Sequence, residues 1–427
     1  MMLQFDADNR VISTEEHGAI LVGVQFSEDI SYSMEELAGL SAAAVIHVLG
    51  QMVQNLDKSH PRTYVGKGKL EELAELCRTM EADLVIVNDE LTGIQLRNME
   101  EVLSVSVIDR TLLILDIFAA RATSKEGKLQ VEMAQQQYRM PRLTGLGKSL
   151  SRLGGGIGTR GPGEKKLETD RRHIQKRIDE IRREMEEYRG HRKTQRARSE
   201  RSDLPIVALV GYTNSGKSSI MNRMLVMEDR QDKQVLEKDM LFATLDASRR
   251  LITMEDRHRF LLIDTVGFVS KLPHTLVKAF RSTLEEVVEA DLLLHVVDAS
   301  FPEADFHIDV TNKVLRELGA GDKTKLLLFN KIDLMSEPSL PAYGKNALAI
   351  STKTGQGYDE LLTRIKELLF GDSTEVDVLI PYSRGDLVSY LCTQAQPRVL
   401  THREDGTFLT VALDLADRKR FEEFILS

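Results

Sequence analysis

The 427 residues carry 57 Lys or Arg against 66 Asp or Glu, a formal net charge of -9, and 42% of them are hydrophobic. That length exceeds what one core serves, so about three domains are expected. No apolar stretch approaches the ~18 residues of a membrane-spanning helix, the N-terminus is acidic rather than a basic secretory start, and Cys77 and Cys392 stand apart without disulfide or metal spacing. Transmembrane, secreted and zinc-framework classes are thereby set aside, and a cytoplasmic protein is expected.

Residues 19–25 (AILVGVQ) read as a first strand. Ser33 and Glu36 have the spacing of a capping box, which predicts a helix through about Leu40. Strands at 45–54 and 84–88 bracket a helix beginning near Lys69, and a further helix at 91–103 and a strand at 105–108 continue the alternation. Residues 1–120 are therefore expected to form an N-terminal α/β domain. Its loop TYVGKGK at 63–69 could meet a phosphate or simply enter a helix.

Helical patterning dominates 121–195. Leu129, Met133 and Met140 share one stripe of a helix that Pro141 should bend or end. From Leu167 through Ile174, Ile178, Ile181, Met185 and Tyr188 the apolar steps alternate three and four, a heptad seam broken by Arg171. Two antiparallel helices would bury that seam within the chain. Between them lies LGGGIGTRGPG at 153–163. Its Gly156, Gly158 and Gly161 match a dinucleotide fingerprint, but no strand precedes it and Pro162-Gly163 breaks the helix that should follow.

The charge is uneven. Between Arg139 and Arg201 there are 19 Lys or Arg against 9 Asp or Glu. A basic arm with a glycine-rich loop can lie flat on a polyanion and let the backbone approach it. Arg142, Lys148, Arg152, Gly156, Arg160 and Gly161 are the RNA-contact candidates. A flexible linker and solvated charged helices are the competing readings.

A guanine-nucleotide domain is expected over 203–371. The apolar run at 206–210 feeds GYTNSGKS at 211–218, the phosphate-loop pattern, and a helical segment follows from Ser219. Gly211, Tyr212, Thr213, Asn214, Ser215, Gly216, Lys217, Ser218 and Ser219 can cradle phosphates with backbone N–H groups. Lys217 should reach the β- and γ-phosphates, and the Ser218 hydroxyl should bind Mg²⁺. Asp264 closes the strand at 260–263 and can hold the metal through water, while the Gly267 amide can face the γ-phosphate. Thr244 is the candidate switch threonine for Mg²⁺ and γ-phosphate, against the alternative of a plain strand residue. Lys217, Thr244 and Gly267 are thus the candidate catalytic residues, and Ser218, Thr244 and Asp264 the metal ligands.

The strand at 325–329 runs into NKID at 330–333. The Asp333 carboxylate can accept from the guanine N1–H and exocyclic amine, where adenine offers an acceptor instead, which favours GTP over ATP. Asn330 would tie this loop to the phosphate loop and Lys331 would lie along the base. Ser351, Thr352 and Lys353 would support the base from the far side. Phe268 follows Gly267 where many such enzymes have a glutamine that orients the attacking water. A phenyl ring cannot do this, so slow intrinsic hydrolysis is expected, completed by a partner, another residue or the substrate itself.

Residues 374–427 read as a small C-terminal α/β domain: a strand at 376–380, a helix from about Gly385, strands flanking Asp405-Gly406, and a closing helix. His402 reads as a surface or hairpin residue. The expected fold is α/β throughout: a phosphate-loop GTPase domain with a mixed, mostly parallel sheet, an N-terminal α/β domain with a helical hairpin arm, and this appendage.

The motifs GGIGTRGPGE at 155–164, LETDRR at 167–172, FATLD at 242–246, DTVGF at 264–268 and FRSTLE at 280–285 closely resemble the HflX family of ribosome-associated GTPases. YVGKGK at 64–69 and GKLQV at 127–131 fit that family's N-terminal domain. The resemblance implies a protein that binds the ribosome, chiefly the large subunit, through rRNA. It implies splitting or rescue of stalled ribosomes under stress, with hydrolysis stimulated by the ribosome. The sequence departs from the family at 247–250 (ASRR), at Thr352 and at Ser219. A monomer that binds no DNA is expected. Two other classes stay open: a GTP-gated regulatory module acting on a protein partner without RNA, and an ATP-dependent RNA remodeller, disfavoured because no second phosphate loop is present.

Overall fold

The computed structural model describes residues 17–143, 162–199, 204–227, 242, 248–255, 258–271, 286–335, 346–371, 374–395, 397–413 and 415–426. They fall into two compact units. Among these residues the first unit takes 17–143, 162–191, 242 and 268–271, and the second takes the rest.

The first unit is built on four parallel strands: β1 (His17–Gln25), β2 (Ile46–Asn55), β3 (Leu84–Val87) and β4 (Ser106–Asp109), in the order β2-β1-β3-β4. All four residues of β3, Leu-Val-Ile-Val, are buried, as a parallel strand covered on both faces requires. Helices α1 (Ser31–Ala43), α2 (Lys67–Thr79), α3 (Gly93–Leu103) and α4 (Arg110–Arg121) make the crossovers.

The expected capping box at Ser33 and Glu36 is absent. Helix α1 starts at Ser31 with Ile30 before it and no side-chain cap. The box that does form is Thr92 with Gln95 at the start of α3, where each side chain meets the other residue's backbone N–H, at 3.3 and 3.0 Å. Ser33 and Glu36 instead point into a buried polar cluster: the Ser33 hydroxyl accepts from Asn88 Nδ2 at 2.9 Å, and Glu36 pairs with Arg110. A tertiary partner outcompetes the local one.

Helix α5 (Lys125–Leu143) holds Pro141 inside it, near the end of the described segment. Helix α6 (Pro162–Ser199) is one continuous helix through the segment. Leu129 of α5 packs with Ile181 and Met185 of α6, with Met133 and Tyr188 beside them. Lys125 Nζ sits over the Tyr188 ring at 5.2 Å, whereas Glu132, two turns on, grips Arg177 through two bonds of 2.6 and 2.9 Å. Contacts that advance along α5 while retreating along α6 make the pair antiparallel, so the seam is buried within the chain. The loop at 153–161 lies outside the described residues.

The second unit carries a six-stranded sheet in the order β10-β9-β8-β5-β7-β6. Its strands are β5 (Ile206–Gly211), β6 (Ser248–Thr253), β7 (Arg259–Asp264), β8 (Leu292–Asp298), β9 (Lys325–Asn330) and β10 (Ala347–Ala349). All pairs are parallel except β6 with β7. Helices α7 (Lys217–Met227), α8 (Ala304–Leu318) and α9 (Tyr358–Phe370) cover it, and Met221, Met224 and Leu225 of α7 join Val207, Leu209 and Ile365 in one core. Beyond it, β11 (Thr374–Ile380), β13 (Gly406–Leu413) and β12 (Val399–Arg403) form an antiparallel sheet with β13 central, packed by helix α10 (Gly385–Gln394). His402 bonds Thr407 across the hairpin at 3.2 Å. None of the described helices is long and apolar enough to cross a membrane.

Ile181 is fully buried in the hairpin, so Ile181→Ala should cost about 2–5 kcal/mol. Amide hydrogen exchange should quicken along residues 174–188 while nucleotide affinity holds; unchanged exchange would contradict the packing described.

Candidate functional site: a guanine-nucleotide cleft

Three parallel strands of the second unit, β9, β5 and β7, end on the same edge of the sheet with β8 between the first two, and each delivers one motif at its carboxyl end, where open α/β sheets bind ligands. Strand β5 ends at Gly211 and opens the phosphate loop, β7 ends at Asp264, and β9 ends at Asn330.

The loop over 211–216 enters α7 at Lys217, so N–H groups of the first helical turn face the turn above them. Gly216 has φ +96°, and a Cβ there would run into Asn330 Nδ2. That approach lets Asn330 Nδ2 donate to the Ser215 carbonyl at 2.9 Å, while Asn330 Oδ1 accepts from the Thr352 N–H at 3.1 Å. Asn330 thus ties its own loop to the phosphate loop, and also to the 351–353 loop. The Ser351 hydroxyl donates to Asp333 Oδ1 at 2.6 Å, holding one oxygen of that exposed carboxylate. Lys331, at φ +65°, sets its ammonium 2.7 Å from Asp298 Oδ2 at the end of β8. Thr352 is half-buried and Lys353 exposed.

Lys217 lies inside the loop, donating to the carbonyls of Gly211 at 3.2 Å and Tyr212 at 2.7 Å. An ammonium has three donors, so two hold the loop and one remains for an anion. Burial brings its pKa down to about 8, against the opposing pull of Asp264. The Ser218 hydroxyl donates to Asp264 Oδ2 at 2.6 Å. Two buried hydroxyls of the loop, Thr213 Oγ1 and Ser215 Oγ, have no protein partner among the described residues, as befits donors placed for phosphate oxygens. Gly267 comes so close that a Cβ would stand 2.7 Å from Thr213 Cα and 2.9 Å from Lys217 Nζ.

Sequence reasoning missed several supports. His307 of α8 is sandwiched between Tyr212 at 3.8 Å and Phe301 at 4.3 Å, both rings nearly parallel to it, which fixes the phosphate loop from behind. The Thr265 hydroxyl donates to the Leu209 carbonyl at 2.6 Å, tying the Asp264 turn to β5. The Arg223 guanidinium packs against Gly355 beside the base-supporting loop. His307, Phe301 and Arg223 lie outside the motifs, and Thr265, though inside one, acts like them through a contact formed only on folding.

Thr244 lies outside the described residues, as do Lys148, Arg152, Gly156, Arg160 and Gly161. Arg142 is turned inward: it bonds Asp109 at 3.1 Å, Glu90 at 3.2 Å and the Leu91 carbonyl at 2.8 Å, and stacks on Tyr138. Only 12% of its side chain is exposed.

This is the arrangement of a phosphate-loop GTPase, and comparison with known proteins specifies which. Four family models match in succession: "GTP-binding GTPase N-terminal" over residues 31–119, "GTP-binding GTPase Middle Region" over 121–199, "50S ribosome-binding GTPase" over 206–331 and "HflX C-terminal domain" over 341–422. The GTPase HflX of Caldanaerobacter subterraneus is 46% identical over 97% of this chain and 95% of its own length. That of Escherichia coli is 38% identical over 94% and 95%. The chain belongs to the HflX family, and is a GTP hydrolase. A crystal structure of a GTP-binding protein from Sulfolobus solfataricus with GDP is similar at TM-score 0.44 and 24% identity, covering 82% of this chain and 98% of that one.

Phosphate ligands favour the charged form of Lys217, so above pH 8 binding must draw a proton onto a lysine that is partly neutral. GDP affinity should therefore fall as pH rises from 8 to 10, with proton uptake seen by calorimetry in buffers of different ionisation enthalpy. Affinity flat across that window would contradict the placement of Lys217.

Proposed function

We propose that this GTPase binds the large ribosomal subunit in its GTP form and splits or rescues stalled ribosomes, with hydrolysis stimulated by the ribosome. The observation that carries the reading is the match of residues 206–331 to a family described as "50S ribosome-binding GTPase". Two features of the chain support it. Between Arg139 and Arg201 the sequence is strongly basic inside an acidic protein, which suits phosphate-rich rRNA. Phe268 stands where a water-orienting glutamine is common and is 1% exposed, so this position offers no group to align water. A ribosome-supplied or ribosome-positioned group would complete the reaction.

In this reading Lys217 neutralises charge on the β- and γ-phosphates, Gly267 presents its amide to the γ-phosphate, and Thr213, Asn214, Ser215, Gly216 and Ser219 line the phosphate cradle. Asp333, Lys331, Ser351 and Lys353 hold guanine. The oxygen set of Ser218 and Asp264, 2.6 Å apart, fits Mg²⁺, a hard cation that takes few protein oxygens beside phosphate and water. Thr244 would add a third oxygen. The metal would neutralise charge developing on the β- and γ-phosphate oxygens. The protein would act as a cytoplasmic monomer with rRNA contacts from Lys148, Arg152, Gly156, Arg160 and Gly161.

The test is GTP turnover by purified protein with and without isolated large subunits, for the wild type and Lys217→Ala. Stimulation on the order of 10³-fold or more is expected, lost in the variant. Slow intrinsic turnover with no stimulation would overturn the ribosomal reading and favour a protein activator. Affinity for large subunits should also fall steeply with salt, log Kd tracking log salt with a slope set by the number of phosphates engaged; a flat dependence would exclude docking through a basic arm.

A further inference from the structure

Strand β8 lies between β5 and β9, the strands that deliver the phosphate loop and the NKID loop, yet it delivers no nucleotide motif of its own. What it carries at its carboxyl end is Asp298, followed by a short turn through Phe301 into α8. This one strand–turn–helix element touches both halves of the site. On the phosphate side, Val296 pairs with Gly211 so closely that a Cβ on Gly211 would run into the Val296 carbonyl oxygen. His307 of α8 then meets the next residue, Tyr212, ring on ring. On the base side, the Ala299 N–H donates to the Asn330 carbonyl at 2.8 Å, and Asp298 pairs with Lys331.

Each side ends on a lysine. The rings of Phe301, His307 and Tyr212 stack in series, at interplanar angles of 6° and 14°, and Tyr212 is 2% exposed, so its ring has little room to turn. The main chain of Tyr212 supplies the carbonyl that accepts from Lys217 Nζ at 2.7 Å, the shorter of the two bonds that hold this ammonium. Fixing the ring therefore fixes an acceptor that aims the ammonium, and with it the donor left for phosphate. Asp298 has both carboxylate oxygens in use. Oδ1 accepts from the Ser300 N–H at 3.0 Å and the Ser300 hydroxyl at 2.6 Å, which sets the orientation of the group, and Oδ2 holds Lys331 Nζ at 2.7 Å. Lys331 itself has φ +65°, a conformation that a residue with a side chain keeps only where its surroundings over-determine it. The Asp298 pair and the Ala299–Asn330 bond supply that constraint.

We infer that β8 and α8 form a brace that aims both lysines of the nucleotide site. Asp298 is a positioning residue for guanine, acting through Lys331, whose aliphatic stem is left for the base. His307, with Phe301, is a positioning residue for the phosphates, acting through the Tyr212 carbonyl and Lys217. Neither touches the nucleotide. The inference rests on the roles proposed for Lys217 and Lys331, lies wholly within the second unit, and does not depend on the ribosome. The two sides predict different kinetics. A contact with the base holds substrate and transition state alike, so loosening it raises KM and leaves the rate at saturation unchanged. Lys217 meets charge that shifts as the γ-phosphate is transferred, so misaiming it lowers the rate itself.

The experiment compares full-length wild type with Asp298→Asn, His307→Leu, His307→Phe and Phe301→Leu, the last at a half-buried turn position that does not threaten folding. GDP affinity, single-turnover hydrolysis over a range of GTP concentrations, and Tm are measured on each, with no ribosome present. Asp298→Asn keeps the shape of the side chain and loses its charge; it should weaken GDP about three- to tenfold, the weight of one hydrogen bond, with the saturated rate kept. His307→Leu should lower the saturated rate roughly tenfold or more, as expected for misplacement of a group at the reacting centre. Phe301→Leu should act in the same direction and less far, and His307→Phe, which keeps a flat ring, should recover most of the rate. Saturated rates unchanged in both His307→Leu and Phe301→Leu, or no recovery in His307→Phe, would overturn the phosphate side, and unchanged GDP affinity in Asp298→Asn would overturn the base side. A lower Tm with affinity and rate intact would show a merely structural brace. Lys217→Ala and Lys331→Ala run alongside: loss in these with none in the brace variants overturns this inference alone, whereas wild-type behaviour in these overturns the lysine roles beneath it.

Discussion

The bond from the Ser218 hydroxyl to Asp264 is the interaction on which the nucleotide site depends, because it joins the phosphate loop to the end of β7. The Thr265 hydroxyl anchors the turn after Asp264 to the Leu209 carbonyl of β5. Gly267 then lies against Thr213 and Lys217, so close that a Cβ would not fit. Three residues of one short turn thus hold it to the phosphate loop and the strand that feeds it.

The nucleotide cleft follows a different economy. Its motifs are separated by tens of residues in sequence but emerge from parallel strands of one sheet, so the sheet suffices to bring them together. Side chains then knit the loops to one another: Asn330 spans two of them, Ser351 holds Asp333, and Lys217 spends two donors on its own loop. Such internal bonds fix the site before ligand arrives, which lowers the ordering cost of binding. The sandwich of His307 between Tyr212 and Phe301 adds rigidity without touching the cleft's chemistry.

Much of this was legible from residue patterns. Parallel strands announce themselves as continuous apolar runs, as at 84–87 and 206–210, and the phosphate and base motifs announce their ligands because each must satisfy a fixed chemistry at fixed spacing. The heptad seam correctly foretold an antiparallel pair burying Ile181 and Met185 against Leu129. What escaped were groups with two plausible partners. Ser33 and Glu36 have the spacing of a cap, yet they bond Asn88 and Arg110, residues 55 and 74 positions away. Arg142 reads in the sequence as an RNA-contact candidate within a basic run, and in the structure it turns onto Asp109 and the Tyr138 ring. In both cases burial makes a tertiary partner worth more than a local or solvent one, and sequence spacing does not encode burial.

The account stands or falls on whether guanine nucleotide is held where β5, β7 and β9 deliver their motifs. The direct measurement is amide hydrogen–deuterium exchange of the full chain without nucleotide and with saturating GDP, read at residues 211–219, 330–333 and 351–353. The account predicts that GDP slows exchange in all three segments. Exchange unchanged in the 330–333 and 351–353 segments would contradict it.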